Sequence, residues 1–314
     1  LIESIQLRFA LAASDEKMQK LVNLLLVPLL DKLDIASATV RTKIIGLLGQ
    51  INKKLKGRPQ IVLPFGALIK STFEKEPSGF SQSFRLMYIT MAVSNADTQS
   101  LVEAIPRLLE GIRGRSKAQQ APLATALLTA VMKCGELDDT QIKGLGFDSS
   151  PHSAETLLAC AKDLFLVNPV QQTQDPGAIP IAAGLSADSQ ALVTNNGKAS
   201  WVSDKDELQT LKLNMARIVG SGQAFPVEAS DQLHQRRFMA LLCASVDPYF
   251  QKVADYGKDS LKRMRPVDYE SRLFVDMANT MFLGTASAKD NAELPRSPVS
   301  PAIRLKLLGY LSRS

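Results

Sequence analysis

The amino-acid sequence predicts an all-α fold, an α-solenoid built from stacked helical hairpins, on three observations. Residues 14–59 carry apolar side chains at steps of three and four in two consecutive runs, the interval at which side chains share one side of a 3.6-residue turn. Leu and Ala dominate the 314 residues while aromatics make up 6%, a bias that suits helix-on-helix packing better than sheets. The hairpin then recurs, with openings near residues 15, 61 and 97. A single hairpin cannot bury two apolar stripes within itself, so it needs neighbours of its own kind.

Taken in order, residues 1–11 place Ile2, Ile5 and Phe9 on a short leading helix. Ser14 offers an N-cap oxygen, and Asp15 and Glu16 put negative charge where the helix dipole is positive. The next helix turns Met18, Leu21, Val22, Leu25, Leu29 and Leu33 inward, with Pro28 inside it. Its partner turns Val40, Ile44, Leu47, Leu48, Ile51 and Leu55 inward and closes on Lys53, Lys54 and Lys56, then Gly57 and Pro59. Residues 64–73 form a short helix with Phe65, Leu68, Ile69 and Phe73 inward, and residues 78–93 pair with it through Phe80, Phe84, Met87, Tyr88 and Met91. Asp97 caps a third opening helix with Leu101, Ile105, Leu108, Leu109 and Ile112 on its stripe, and the Ala-rich run 117–133 is its partner.

The spacing of roughly forty residues between hairpins matches the HEAT and armadillo class. In the first unit the order Pro28 to Leu30, Leu33-Asp34, Val40-Arg41 resembles a HEAT repeat, in which the Asp near the turn and the Arg opening the second helix bond to backbone and to neighbouring repeats.

Residues 135–151 read as a loop and 154–167 as a helix, which closes an N-terminal set of repeats at 1–167. From 168 to 203 Gln, Ser, Asn, Gly and Ala prevail with few charges, a mobile insertion loop in which Trp201, the chain's one tryptophan, is either an anchor buried against the helices, the reading that residue statistics favour, or an exposed partner contact. HEAT-like repeats are expected to continue through 204–314 and to be truncated at the C-terminal end, beginning with a capping-box-like Asp204 and Glu207. Further helices are expected at 228–246, 249–264, 269–283 and 302–311, with a second loop at 286–301 and no strand.

With 45% apolar and 22% charged residues, disorder throughout is excluded. The net charge of +6 is spread along the chain, so nucleic-acid binding is permitted but not indicated. Cys134, Cys160 and Cys243 are far apart and odd in number, and no N-x-[ST] acceptor occurs, which points to a reducing cytoplasmic or nuclear location. The most apolar run, 24–30, is far short of a membrane span, so no membrane insertion is expected. The opening on Leu1 and the stop within a helical pattern at Ser314 lead us to expect a fragment.

No catalytic set emerges. His152 and His234 sit alone, and no H-E-x-x-H, C-x-x-C or metal-ligand cluster occurs. Asn196-Gly197-Lys198-Ala199-Ser200 lacks the upstream Gly and flanking strand of a phosphate loop, and Gly220-Ser221-Gly222 lacks the spacing of a nucleophile elbow. The sequence therefore implies neither an enzyme nor a cofactor. Lys53, Lys54, Lys56 and Arg58 form one candidate contact for an acidic partner, and Lys262, Arg263 and Arg265 another; a solvated helix end favoured by the dipole accounts for either cluster as well. Ser297-Pro298 and Ser300-Pro301 are candidate phosphorylation sites, or ordinary loop.

The run 15–64, DEKMQKLVNLLLVPLLDKL followed by VRTKIIGLLGQINKKLKGRPQIVLP, resembles the amino-terminal region of the large HEAT-repeat proteasome adaptor and scaffold family. That resemblance implies a non-catalytic segment that binds proteasome regulatory and core particles, helps tether them, takes part in quality control and meets other proteins through its solenoid surface, in cytoplasm and nucleus. Another HEAT-repeat adaptor, in nuclear transport or nucleic-acid association, is the alternative.

Overall fold

The computed structural model describes residues 2–74, 79–113, 115–147, 149–169, 181–225, 230–286 and 295–312. The fold is all-α: among the described residues there are sixteen α-helices, and the one pairing of extended backbone is a bridge between Thr285 and Arg296. The chain divides into two compact units, Leu1–Arg107 and Leu108–Ser314.

The first unit holds α1 (Ile2–Leu11), α2 (Asp15–Ile35), α3 (Ala38–Lys56), α4 (Phe65–Glu74) and α5 (Gly79–Ala92), and α6 (Thr98–Ile112) spans the division. Ser14 Oγ accepts from the Lys17 amide at 3.3 Å, as its N-cap position demands. The buried stripe of α2 is Met18, Val22, Leu26, Leu29, Leu30 and Leu33, and that of α3 is Ile44, Leu47, Leu48, Ile51 and Leu55. Arg41 closes the turn between them, Nε donating to the Leu33 carbonyl at 3.2 Å and Nη2 to that of Ala36 at 3.3 Å. Asp97 caps α6 by accepting from the Ser100 amide at 2.9 Å.

Helix α5 is rotated from its expected orientation. Tyr88 is buried as expected and Phe84 and Met87 are half-buried, but Phe80 is 46% exposed and Met91 37%, while Ser81, Gln82, Arg85, Leu86, Ile89 and Ala92 are buried. The cause lies on α2, where Asp31 and Asp34 need partners. Arg85 Nη2 reaches Asp31 at 2.8 Å and Asp34 at 3.2 Å, and Ser81 Oγ donates to Asp34 at 2.6 Å. A carboxylate pair at a helix crossing thus draws Ser81 and Arg85 inward beside Leu86, Tyr88, Ile89 and Ala92. Asp34 bonds a neighbouring hairpin and Arg41 bonds backbone, the two roles that the HEAT-like order assigns to them.

The second unit holds α7 (Lys117–Lys133), α8 (Asp139–Lys143), α9 (Pro151–Leu166), α10 (Ala187–Thr194), α11 (Ser200–Ser203), α12 (Lys205–Gly220), α13 (Asp231–Ala244), α14 (Gln251–Arg263), α15 (Arg272–Leu283) and α16 (Pro301–Leu311). Leu123 to Met132 of α7 are buried without a break, as are Phe238 to Ala244 of α13, so these stretches of the two helices are enclosed on all sides. Helix α13 packs on α9, and α12 packs on α7, α13 and α14. Helices from both sides of residues 168–203 therefore share one core within the second unit.

Residues 181–203 form two short helices where the sequence predicts a loop; residues 170–180 of that loop lie outside the described residues, as do 287–294 of the second loop and 228–229 of the predicted helix 228–246. Helix α10 packs on α7 and α9 with a buried face of Ser189, Gln190, Val193 and Thr194. Such a face has no apolar stripe to read. Its polar atoms are satisfied internally: Gln190 Oε1 accepts from the Ala182 amide at 2.7 Å, and Thr194 Oγ1 donates to the Gln190 carbonyl at 2.6 Å. Trp201, 2% exposed, donates Nε1–H to the Val193 carbonyl at 3.1 Å, the anchoring role expected of it. The expected loop 135–151 likewise contains α8, started by a capping box between Asp138 and Gln141.

Candidate functional site

The two basic clusters predicted from sequence lie in different units, and each is largely committed to its own surroundings. Lys54 Nζ donates to the carbonyls of Phe9 at 2.6 Å and Ala10 at 3.0 Å, satisfying the C-terminal end of α1. Arg58 donates to the Ala13 carbonyl at 3.1 Å and pairs with Asp15 at 3.3 Å. These two residues fasten α1 to the α2–α3 hairpin, which leaves Lys53 and Lys56 as the exposed members. In the second cluster Lys262 pairs with Asp259 at 2.9 Å and Arg265 with Asp231 at 2.7 Å. Ser297 Oγ accepts from the Gly184 amide at 3.2 Å, and Ser300 occupies the N-cap of α16 without a side-chain cap bond.

Arg263 and Arg265 do more than end a helix, because they line a cleft of about 510 Å³ in the second unit. Its walls come from the ends of α12 and α14, the first turns of α13 and the segment around α8. Arg217, Arg237 and His234 join them there, and Glu136 and Asp139 are the acidic residues of the lining. Arg217 pairs with Glu136 at 3.4 Å across partly solvated surface. Arg263 reaches Ser260 Oγ at 3.5 Å and is otherwise exposed.

The cleft is built on a buried guanidinium. Arg237 donates Nε–H to the Val219 carbonyl at 2.7 Å, Nη2–H to that of Gly220 at 2.9 Å and Nη1–H to that of Phe225 at 3.2 Å. The last carbonyls of α12, which have no partner within the helix, are thereby satisfied. The cation also lies 5.5 Å from the centre of the Phe225 ring. Burial pushes the Arg237 pKa down to about 10, and the positive charge of Arg263 pushes in the same direction. His234 is 8% exposed and donates from Nε2 to the Arg265 carbonyl at 3.0 Å. Burial lowers its pKa first, and the charges of Arg265 and Arg237 add to that lowering.

Sequence reasoning found Arg263 and Arg265 but missed Arg217, Arg237 and His234 as their companions. Arg217 stands on α12, and His234 and Arg237 one turn apart on α13, so only the packing of α12, α13 and α14 brings them to one wall with Arg263 and Arg265. Among the described residues no group of three His, Cys, Asp or Glu could hold a metal ion, and no helix is long and apolar enough to cross a membrane.

The family described as "Proteasome component ECM29, N-terminal" matches residues 2–314. The chain belongs to the ECM29 family. Relatives of the same name cover the whole chain: it is 24% identical over 341 residues to the human "Proteasome adapter and scaffold protein ECM29" and 26% identical over 331 residues to "Proteasome component ECM29" of Saccharomyces cerevisiae. The "Proteasome-associated protein ECM29 homolog" of Drosophila melanogaster is 25% identical over 99% of the chain. The chain spans 18%, 17% and 16% of the human, yeast and fly ECM29 proteins respectively. No solved structure matches it.

Proposed function

We propose that this chain is a non-catalytic scaffold segment that associates with the proteasome. The observation that carries the reading is the match of residues 2–314 to the ECM29 N-terminal family, together with a human relative named as a proteasome adapter and scaffold. On this reading the helical hairpins present surface to proteasome subunits, help to tether regulatory to core particles and serve proteasome quality control in cytoplasm and nucleus. The basic balance that would favour a nuclear-transport or nucleic-acid adaptor gives less support, since part of it is spent on internal contacts such as those of Lys54, Arg58 and Arg237.

Affinity capture of the full-length protein from lysate, under conditions that keep proteasomes intact, is expected to recover subunits of both particles. Recovery of neither particle overturns the proteasome reading. Recovery of one particle alone, with no change in the fraction of joined proteasomes on depletion of the protein, overturns the tethering role.

A further inference from the structure

We propose that the cleft between the ends of α12 and α14 is a docking site for an acidic peptide segment, whose carboxylate sits against Arg263 and Arg217 with apolar neighbours on the cleft floor. Charge complementarity selects this occupant. Four arginines line the cleft, Arg217, Arg237, Arg263 and Arg265, against two acidic residues, Glu136 and Asp139. Arg237 is consumed by three carbonyls and Arg265 by Asp231, whereas Arg263 meets a single hydroxyl, at 3.5 Å. A guanidinium fork has five N–H donors shaped for a carboxylate, and Arg263 holds nearly all of them open toward the cleft. The Arg217–Glu136 pair, 3.4 Å long with Arg217 half-buried and Glu136 exposed, exchanges one carboxylate for another at little cost, while Arg217 keeps its 3.5 Å contact to Asn214 Oδ1.

Two features narrow the ligand to peptide. Leu137, Ile142, Phe225 and Met264 give the cleft apolar walls that an inorganic anion has no means to use. Glu136 and Asp139 on one rim repel a polyanion such as nucleic acid, yet leave room for a single carboxylate on an otherwise apolar strand. The fixed carbonyl contacts of Arg237 hold the α12 end in place, so the cleft keeps its shape without the ligand. The site stands independently of the proteasome reading and would serve any acidic partner.

The test is fluorescence anisotropy on the 314-residue chain, with a labelled peptide carrying one Glu among Leu and Ser residues as probe and the same peptide with Lys in place of Glu as control. Saturable binding of the acidic peptide alone is expected. Arg217→Glu with Arg263→Glu should weaken it by about tenfold or more, while Lys53→Glu with Lys56→Glu, an equal charge change in the other unit, should leave it within about twofold. Arg263→Gln alone guards against misfolding and should weaken binding by an intermediate factor at unchanged melting temperature. No saturable binding, or equal loss in both double variants, overturns the proposal. Displacement by inorganic phosphate as effective as by unlabelled peptide, at matched ionic strength, also overturns it and leaves a simple anion site.

Discussion

Lys212 Nζ lies 2.6 Å from Asp247 Oδ2, with both side chains shut off from solvent. The ammonium also donates to the Phe165 carbonyl at 3.2 Å and sits 5.4 Å from the centre of the Phe250 ring. Asp247 Oδ1 accepts from the amides of Tyr249 and Phe250, each at 2.9 Å. The pair therefore joins the end of α9, the middle of α12 and the approach to α14. Burial lowers the Lys212 pKa, and the carboxylate of Asp247 opposes that lowering.

Removing either partner strands a charge in the core. Lys212→Ala or Asp247→Ala is expected to cost about 3–5 kcal/mol in urea denaturation. Lys212→Met combined with Asp247→Asn, which keeps an oxygen for the two amides, should recover most of that loss. A double variant as unstable as the sum of the single ones would refute the pairing.

Arg85 plays the matching part in the first unit, 1% exposed between Asp31 and Asp34. Arg85→Ala should cost about 3 kcal/mol or more, since two carboxylates lose a charged partner at once. Phe80→Ala, on the exposed side of the same helix, should cost well under half as much. Chemical denaturation of the two variants decides which face of α5 is inward.

The contrast between those residues marks where the sequence stops being readable. The stripe of α3 from Ile44 onward, though not Val40, which is 38% exposed, the stripe of α6, and the caps Ser14, Asp97 and Asp204 are local patterns whose geometry follows from helical period and unpaired amides alone. The face of α5 and the short helix α10 are set by distant partners: Asp31 and Asp34 for the first, Gln190 bonding the Ala182 amide for the second. The cleft is less legible still. Arg263 and Arg265 announce themselves as a basic helix end, but Arg237 earns its place only where α12 stops beside α13.

Trp201 gives a direct reading of residues 181–203, because it is the chain's one tryptophan and is buried. Its emission is expected at short wavelength, with acrylamide quenching far below that of free tryptophan and a red shift on unfolding. Trp201→Ala should cost about 3–5 kcal/mol. Trp201→Phe, which drops the bond to the Val193 carbonyl but keeps a ring, should cost nearer 1–2 kcal/mol. Quenching as efficient as for free tryptophan would contradict the packed segment.

His234 makes stability depend on pH. Its folded pKa lies below the ordinary value of 6.5, so between the two values the unfolded chain binds the proton and the folded chain does not. Its contribution is complete above the unfolded pKa and is lost as pH falls through 6.5 toward the folded value. The melting temperature of the native chain should therefore fall more steeply between about pH 7 and 5 than that of His234→Gln, which retains a donor for the Arg265 carbonyl. Parallel melting curves for the two proteins across that range would exclude a buried neutral His234.

Two helical glycines should respond in opposite directions to the same added methyl group. At Gly46, on α3, a Cβ would meet nothing within 4 Å, so Gly46→Ala removes the flexibility penalty of glycine and should stabilise by about 0.5–1 kcal/mol. At Gly257, on α14, a Cβ would lie 2.7 Å from the Ser245 amide nitrogen and 2.9 Å from its Cα. Those are backbone atoms at the end of α13 and cannot rotate aside, so Gly257→Ala should lose about 1–3 kcal/mol despite the better helix propensity of alanine. Thermal melts of the two variants measure the difference, and a stabilised Gly257→Ala would mean that α14 does not approach the α13 end so closely.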